Sequence, residues 1–271
     1  MSKKRVLFVS QEMNPYTTIS EISDLVRKLA PLTQSKGMEV RVLMPKYGSI
    51  NERRHRLHEV VRLSGMNIIV DDDDFPLIIK VASLPGARLQ VYFLDNEEFF
   101  KRKFIFNDEE EKPFDDNQER MVFFCKGVIE TVKKFGWPPD IIHCHGWMTS
   151  LIPFYLKKVY ANEPIFDNSN IVYSAYNNDY EKTFTEKFFE LASINQLEPD
   201  DLADFREKDS AKLLLGGIKY ADAIVKGNEK LDDDVESLIS SLDVPVLDFK
   251  GEEEVESEMI EFYKGLLETV A

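Results

Sequence analysis

The sequence predicts an α/β protein built on a mostly parallel, doubly wound sheet with a small antiparallel excursion. Short apolar runs of strand length alternate with longer stretches in which apolar residues recur at helical spacing. The first of these units, over 5–44, is a strand, a helix and a strand in succession, which is the pattern of a βαβ unit. Neither a Ser/Gly-rich linker nor an internal repeat divides the chain, so we expect a single domain over 1–271.

The N-terminal part opens with the apolar strand Arg5–Ser10, a helix over about 19–32 that ends at Gly37, and a strand over 39–44. Short strands are predicted at 67–70, 77–84 and 88–94, and these form the antiparallel excursion. The acidic run 71–74 lacks the interleaved Gly and terminal Glu of a calcium loop, so we interpret it as an exposed turn.

The remaining elements continue the alternation to the end of the chain. A long helix over 117–135 stops at Trp137-Pro138-Pro139 and leads to a strand over 140–144. The later elements are helices at 151–159, 211–220, 231–242 and 252–270, and strands at 170–175, 221–225 and 244–249. We expect 229–271 to form an acidic helix-strand-helix unit that completes the same sheet.

Charge and composition exclude several classes of protein. The formal net charge of 271 residues is −15, of which −11 falls within 228–271. A field of this sign repels phosphate backbones and anionic lipids, so neither nucleic acid nor a membrane is an expected partner. Two Cys exclude a disulfide scaffold, and no apolar run has the length of a membrane span. The start of the chain does not resemble a signal peptide, so we expect a cytoplasmic protein with reduced thiols.

Ligands of doubly wound sheets bind beyond the carboxyl ends of the strands, so the segments that follow each strand are the candidate sites. The segment after the first strand contains no Gly, and Pro15 supplies no N–H, whereas a phosphate cradle needs closely approaching backbone amides. Glu21 and Asp24 stand at the start of the following helix, where they would repel a phosphate. We therefore expect weak nucleotide binding or none.

The segment His143-Cys144-His145-Gly146-Trp147 is the second candidate. Alternation along a strand places His143 and His145 on one face. A metal site would need further ligands, and the sequence has only four His, so we predict no metal and no cofactor. Two interpretations stay open: hydrogen bonding and stacking on a sugar by His145 and Trp147, or a buried histidine beneath a Trp.

Tyr176 and Asn177 follow the strand over 170–175, ahead of Tyr180. Amides and phenols beyond a strand end suit a polyol, although turns rich in Asn and Asp are also common. We expect His145, Trp147, Tyr176 and Asn177 to lie open or partly open and to form a binding surface. The alternative is that the helix around 184–191 covers this face with its Phe side chains.

The order of motifs resembles the N-terminal half of bacterial glycogen synthases and plant starch synthases, the retaining glucosyltransferases of family five. The resemblance rests on five segments, and it extends from about residue 5 to residue 228. These segments are the opening Val-Leu-Phe-Val-Ser-x-Glu-x-x-Pro-Tyr, Val-Arg-Val-Leu-Met-Pro-Lys-Tyr at 40–47, Asp116-Asn117 and Glu119-Arg120 ahead of Phe123-Phe124, Pro-Asp-Ile-Ile-His-Cys-His-Gly-Trp at 139–147, and Gly-Gly-Ile-Lys-Tyr-Ala-Asp at 216–222. The resemblance implies one Rossmann-like half of a GT-B fold, and leaves no room in this chain for the second, nucleotide-sugar domain.

The sequence departs from the family pattern at the positions to which the family assigns chemistry. Its Lys-Thr-Gly-Gly signature aligns with Thr18-Ile19-Ser20-Glu21, although Asp24 matches the Asp that follows. The Asp of its His-Asp-Trp motif is Gly146, and its active-site histidine is Tyr176. We therefore assign no catalytic residue, and we name His145, Trp147, Tyr176, Asn177 and Asp24 as candidate substrate-binding residues.

Three functions remain open at this point. The first is a half-protein that is not catalytic alone and binds an α-glucan or a protein partner at its strand-end face. The second is an active glucosyltransferase that carries glucose from ADP-glucose or UDP-glucose to an α-1,4-glucan with the help of a separate nucleotide-binding chain. The third is a structural or regulatory subunit without a sugar site, and a homo-oligomer is compatible with the first and the third.

Overall fold

The computed structural model describes residues 3–177, 184–207, 210–251 and 254–268. Within them, a ten-stranded sheet runs in the order β12-β11-β8-β7-β1-β2-β6-β5-β3, and β4 pairs with β5 beside this path. The strands are β1 (Arg5–Ser10), β2 (Glu39–Pro45), β3 (His58–Glu59), β4 (Met66–Val70), β5 (Asp73–Ser83), β6 (Gln90–Asp95), β7 (Ile141–His145), β8 (Asn170–Ala175), β9 (Arg206–Glu207), β10 (Ser210–Ala211), β11 (Ala223–Lys226) and β12 (Val246–Leu247). The helices are α1 (Ile22–Ser35), α2 (Glu52–His55), α3 (Glu97–Phe100), α4 (Asn117–Phe135), α5 (Leu151–Lys158), α6 (Glu186–Ala192), α7 (Leu213–Lys219), α8 (Asp233–Ser241) and α9 (Val255–Glu268).

The centre of the sheet is parallel, as the alternation of strands and helices predicts. β1 pairs in parallel with β2 on one side and with β7 on the other, and β8, β11 and β12 continue outward from β7. The chain thus reverses its direction of winding between β1 and β7, which is the topological switch point where such sheets bind ligands. The residues of β7 are all buried, and in β1 only Arg5 is not, as expected for strands covered on both faces.

Helices cover both faces of the sheet. On one face α9 packs against α1, and its Tyr263 reaches His143 of β7. On the other face α4 packs against α5, and α5 packs against α7. Cys144, which points away from its neighbour His143, lies buried near Cys125 of α4. The alternation along β7 therefore sends its histidines and its cysteine into different layers of the core.

The antiparallel excursion forms one edge of the sheet, with β3 and β4 each antiparallel to β5 and β5 antiparallel to β6. The prediction for 88–94 was wrong in one respect, because β6 is also a parallel neighbour of β2 and so belongs to the central sheet. The prediction that the whole acidic run 71–74 forms an exposed turn was wrong for its second half. Asp71 has a positive φ of 57° in the turn, but Asp73 and Asp74 pair with Val70 and Ile69 as the start of β5.

The chain after residue 228 adds α8, the short strand β12 and α9. β12 pairs in parallel with β11 through Val246 and Leu247, so it extends the central sheet. The predicted strand over 244–249 was too long, because β12 contains only these two residues. The assignment of 1–271 to a single domain stays a prediction. No helix in the part of the chain that the structure describes is long and apolar enough to cross a membrane.

Candidate functional site

A cavity of about 480 Å³ lies at the carboxyl ends of β1, β7 and β8, and we call it the strand-end cavity. Its position at the switch point is the one where doubly wound sheets bind ligands. It is lined by Gln11, Ile19, Ser20, Glu21, Ile22, Asn107, Pro113, Gly146, Trp147, Tyr173, Ser174, Tyr176, Asn177 and Leu214. The described lining combines amide, hydroxyl and aromatic side chains with the aliphatic side chains of Ile19, Ile22, Pro113 and Leu214, and Glu21 is its one charged side chain.

Glu12 organises the wall of the strand-end cavity that follows β1. Its carboxylate is fully buried and accepts hydrogen bonds from the backbone N–H groups of Ile19 at 2.6 Å and Ser20 at 2.8 Å. The Ser20 hydroxyl donates a third bond at 2.7 Å. Burial raises the pKa of Glu12, and the bonds from Ser20 and Ile19 act against that rise. The backbone N–H groups that precede α1 are thus already paired within the protein, with the Glu12 carboxylate as their acceptor.

His143 links three elements of the core beneath the strand-end cavity. Its Nδ1 lies 2.5 Å from the Tyr263 hydroxyl of α9, and its Nε2 lies 2.7 Å from the Ser174 hydroxyl of β8. Burial and the neighbouring His145 lower its pKa well below the ordinary value. A neutral imidazole, with one nitrogen as donor and the other as acceptor, matches two hydroxyl partners that can each donate or accept.

His145 shares the face of His143, as the strand alternation predicts, with the ring centroids 3.9 Å apart. Its Nδ1 lies 3.4 Å from the Tyr176 hydroxyl, and its Nε2 has no hydrogen-bond partner within the described ranges. Burial lowers its pKa to about 3. Among the described residues, no group of three or more His, Cys, Asp or Glu side chains could hold a metal ion. The pair of histidines therefore belongs to the core, beneath the cavity rather than in its wall.

Trp147 is 3% exposed, and His145 and Tyr176 are 0% and 6% exposed, so the expectation of an open aromatic surface was wrong for these three side chains. The ring of Phe106, from the loop after α3, lies 4.8 Å from Trp147, and Phe184 approaches it edge-on at 5.6 Å. The alternative interpretation was that a helix around 184–191 covers this face with its Phe side chains. The structure agrees with it only in part, because Phe184, which precedes α6, covers Trp147, whereas the strand-end cavity remains unfilled.

Tyr176 and Asn177 form the wall that follows β8. Tyr176 packs closely against Gly227, where an added Cβ would lie 2.3 Å from its Cδ1. Burial raises the pKa of Tyr176, so its hydroxyl stays protonated. Asn177 is exposed and fixed in place, because its backbone N–H donates to Asn228 and its side-chain amide to the Lys230 carbonyl. Tyr180, the next aromatic in this segment, lies outside the described residues.

The structure brings Trp147, Tyr176 and Asn177 together around the strand-end cavity, with His145 behind Tyr176. Asp24 is not part of this lining. It lies in the first turn of α1, where its Oδ1 accepts a hydrogen bond from Asn14 at 2.7 Å, and it lines a second cavity beside the first.

Sequence reasoning missed Gln11, Glu12 and Asn107. The signal for Glu12 was an acidic residue placed directly after a buried strand, where a free carboxylate would be costly. Asn107 gave no signal, because it reaches the cavity from a loop far away in sequence; its Oδ1 has no hydrogen-bond partner among the described residues. Gln11 fills the space beside Gly146 and accepts a weak hydrogen bond of 3.4 Å from the Met148 N–H.

Comparison with known proteins shows the family to which the chain is related. The model of the starch synthase catalytic domain matches residues 5–238. The chain is 36% identical over 234 residues to a glycogen synthase from Chlorobium limicola, which covers 85% of this chain and 47% of that protein. It is 38% identical over 223 residues to a glycogen synthase from Chlorobium chlorochromatii, which covers 81% of this chain and 45% of that protein.

Among solved structures, the catalytic domain of starch synthase IV from Arabidopsis thaliana, bound to ADP and acarbose, superposes with a TM-score of 0.75 at 20% sequence identity. The superposition covers 93% of this chain and 53% of that one, and at this identity it shows the fold alone. The chain spans about half the length of the curated relatives it matches.

Proposed function

The chain belongs to the family of starch synthase catalytic domains, and from this premise we propose that it is an α-glucan-binding half-domain that does not transfer glucose on its own. The observation that carries the proposal is the lining of the strand-end cavity. Its described residues include no Lys or Arg, and they offer amide, hydroxyl and aromatic groups instead. Such a lining suits a neutral polyol better than a nucleotide diphosphate, whose phosphates call for cations or free backbone amides.

The surroundings of Glu12 support the second half of the proposal. The backbone amides of Ile19 and Ser20, in the loop just before α1, are groups that an anionic ligand at this strand end would use, and they already donate to Glu12. The exposed carboxylate of Glu21 borders the same cavity and adds repulsion. A phosphate at this position would have to displace an internal carboxylate and then lie beside another one.

The positions to which the family resemblance assigns chemistry support it as well. Thr18, Gly146 and Tyr176 replace a lysine, an aspartate and a histidine. Loss of a single group that stabilises charge in a transition state typically costs about 10² to 10³ in rate. With three such groups replaced we expect no glucose transfer. Binding of the glucan is then the activity that we propose for the cavity.

Calorimetric titration with maltohexaose tests the binding, and incorporation of labelled glucose from ADP-glucose or UDP-glucose into glycogen tests the absence of transfer. We expect saturable binding and no incorporation above a protein-free blank. Asn107→Ala should weaken binding by roughly 1 kcal/mol, because Asn107 is a half-buried residue of the lining and its side-chain amide is then lost to the ligand. Asn67→Ala is the matched control, since Asn67 is an exposed residue of β4 away from the cavity. Glucose incorporation by the purified chain would contradict the proposal.

The second candidate is an active glucosyltransferase completed by a separate nucleotide-binding chain. Membership of the family, with 47% of a relative's length covered, is the observation in its favour. It predicts that incorporation of glucose appears only when such a chain is added, whereas the first candidate predicts glucan binding without it and no incorporation with it.

A further inference from the structure

A second cavity, of about 270 Å³, adjoins the strand-end cavity, and we call it the α1–α9 cavity. Its walls come from the outer side of α1, from the loop after β11 and from the connection between β12 and α9. Glu21 and Tyr176 line both cavities, so the two are neighbours across these side chains. Phe249 and Val255 also line it and lie beyond residue 238, where the family match ends. This cavity is therefore built partly from a segment outside the family pattern.

Phe249 is the unusual side chain of the α1–α9 cavity. It is 42% exposed, in a protein whose other Phe side chains are mostly buried within the described residues. It lies between β12 and α9, next to Lys250, and lines the cavity while remaining partly open to solvent. An exposed aromatic beside polar groups is the arrangement that binds an amphipathic ligand, with one flat apolar face and several hydrogen-bonding groups.

The charges around the α1–α9 cavity argue against an anionic ligand. Lys226 is held by Glu236 at 2.9 Å and by Asp248 at 3.2 Å, and Lys28 lies 3.9 Å from Glu256. Lys250 also lines the cavity, and the three ammonium groups of the lining are balanced by the three carboxylates of Glu21, Asp24 and Glu256, so the lining has no excess positive charge for a phosphate.

Hydrogen-bonding groups are nevertheless plentiful at this site. The carboxylates of Glu21 and Asp24 and the amide of Asn228 border the cavity. Asp24 accepts one bond from Asn14, and Asn228 donates to Glu21 over a long 3.4 Å, so each carboxylate retains accepting capacity. Carboxylates and amides that face a flat aromatic ring match the hydroxyl rim and the apolar face of a pyranose.

We propose that the α1–α9 cavity is a second sugar subsite, in which Phe249 stacks on a pyranose ring of an α-glucan whose other residues occupy the strand-end cavity. The inference rests on the proposed function, because the same chain of sugars has to enter both cavities. Its volume lies below the range of about 300–1,000 Å³ that is usual for drug-sized ligands, and it suits a short portion of a longer ligand. A short sugar fills the strand-end cavity alone, whereas a long one passes Tyr176 and Glu21 and reaches Phe249.

The test compares maltose with maltohexaose by calorimetric titration of the full chain and of Phe249→Ala. We expect the variant to bind maltohexaose about tenfold more weakly, which corresponds to about 1.4 kcal/mol, and to bind maltose within about twofold of the wild type. Phe249→Trp should retain the affinity for maltohexaose. Phe104→Ala is the matched control, because Phe104 is also an exposed Phe, at 37%, and lines neither cavity.

The outcomes separate the two proposals. If maltohexaose binds and Phe249→Ala behaves like Phe104→Ala, the second subsite is refuted and the strand-end binding stands. Equal weakening of maltose and maltohexaose in Phe249→Ala would also refute it, because Phe249 would then act through the strand-end cavity. If neither sugar binds the wild type, the proposed function fails and the subsite fails with it.

Discussion

Glu12 and Ser20 are joined by two hydrogen bonds, one from the Ser20 backbone N–H to Oε2 at 2.8 Å and one from its hydroxyl to Oε1 at 2.7 Å. Together with the bond from Ile19, this pairing holds the loop between β1 and α1 against the sheet. It explains how a turn without glycine satisfies its buried amides, because the anion that the amides bind is a side chain of the same loop.

Glu12→Ala should lower the free energy of unfolding by about 1.5–3 kcal/mol, since the variant loses charge-assisted bonds and leaves buried donors unpaired. Urea denaturation monitored by circular dichroism measures the change. Glu97→Ala is the control, because Glu97 forms an exposed pair with Lys101 and should cost less than about 0.5 kcal/mol. An equal, small loss in both variants would show that the amides of Ile19 and Ser20 find other partners.

Acetate should partly restore the stability of Glu12→Ala. The substitution leaves a site with the shape and donors of a carboxylate, and an anion that binds only the folded state raises the melting temperature by mass action. We expect the rise in melting temperature to exceed that of the wild type at the same acetate concentration, with chloride as the ionic-strength control. Parallel responses of the two proteins would rule out a carboxylate-shaped site.

Gly146→Ala should lower the free energy of unfolding by more than the strain of a positive φ accounts for. Gly146 has a φ of +86°, and an added Cβ would lie 2.3 Å from Gln11 Cδ. Gly37 separates the two causes, because its φ is +94° but nothing lies within 4 Å of its added Cβ. We expect about 1 kcal/mol for Gly37→Ala and at least about 2 kcal/mol for Gly146→Ala in urea denaturation.

The double variant Gln11→Ala/Gly146→Ala completes this test. Removal of the Gln11 side chain makes room for the new Cβ, so the double variant should be more stable than the sum of the two single losses predicts. Additive losses would mean that Gln11 does not exclude a side chain at Gly146.

The strands that carry the site were predictable because they are buried on both faces. β1 and β8 begin and end at the predicted residues, and α4 agrees with its predicted span, since unbroken apolar runs and a strong helical stripe leave few alternatives. The short helices α2 and α3 were not predicted, because four residues hold too little periodicity to be recognised. β12 was predicted too long, since Val244 and Val246 alternate as a strand does although few of these residues pair.

The candidate site was less predictable than the fold because its walls come from distant segments. The sequence places Trp147 and Tyr176 at strand ends, but not the burial of Trp147, which depends on Phe106 and Phe184. The role of Glu12 depends on a loop that folds back over it. Neither contact leaves a trace in local periodicity, and both require the tertiary structure.

ADP should bind the chain with a dissociation constant weaker than about 1 mM, which corresponds to about −4 kcal/mol of binding free energy. The reason is that Glu12 already occupies the amides of Ile19 and Ser20, with the carboxylate of Glu21 beside them. Calorimetric titration at physiological ionic strength measures the constant, and maltohexaose in the same cell serves as the positive control. A micromolar constant for ADP would refute the prediction of weak nucleotide binding.

Acid should destabilise the protein through the two histidines of β7. Burial lowers the pKa of His145 from 6.5 to about 3, and the pKa of His143 is also well below its ordinary value. Below pH 6.5 the unfolded chain therefore binds protons that the folded chain does not, so the stability present above pH 6.5 is lost as the pH falls towards the folded pKa values. Each histidine contributes a slope that is about half of 1.4 kcal/mol per pH unit at pH 6.5 and approaches about 1.4 kcal/mol per unit near pH 5. The raised pKa of Glu12 makes the folded protein more stable as the pH falls, which opposes the effect of the histidines. The slope of the wild type alone therefore does not isolate His145, and the comparison with a His145 variant does. His145→Gln should reduce the slope of unfolding free energy between pH 5 and 6.5 by about 1 kcal/mol per unit. Equal slopes in the wild type and in His145→Gln would mean that His145 takes up its proton in the folded protein as it does in the unfolded chain, and that its imidazole is not held neutral beneath Tyr176.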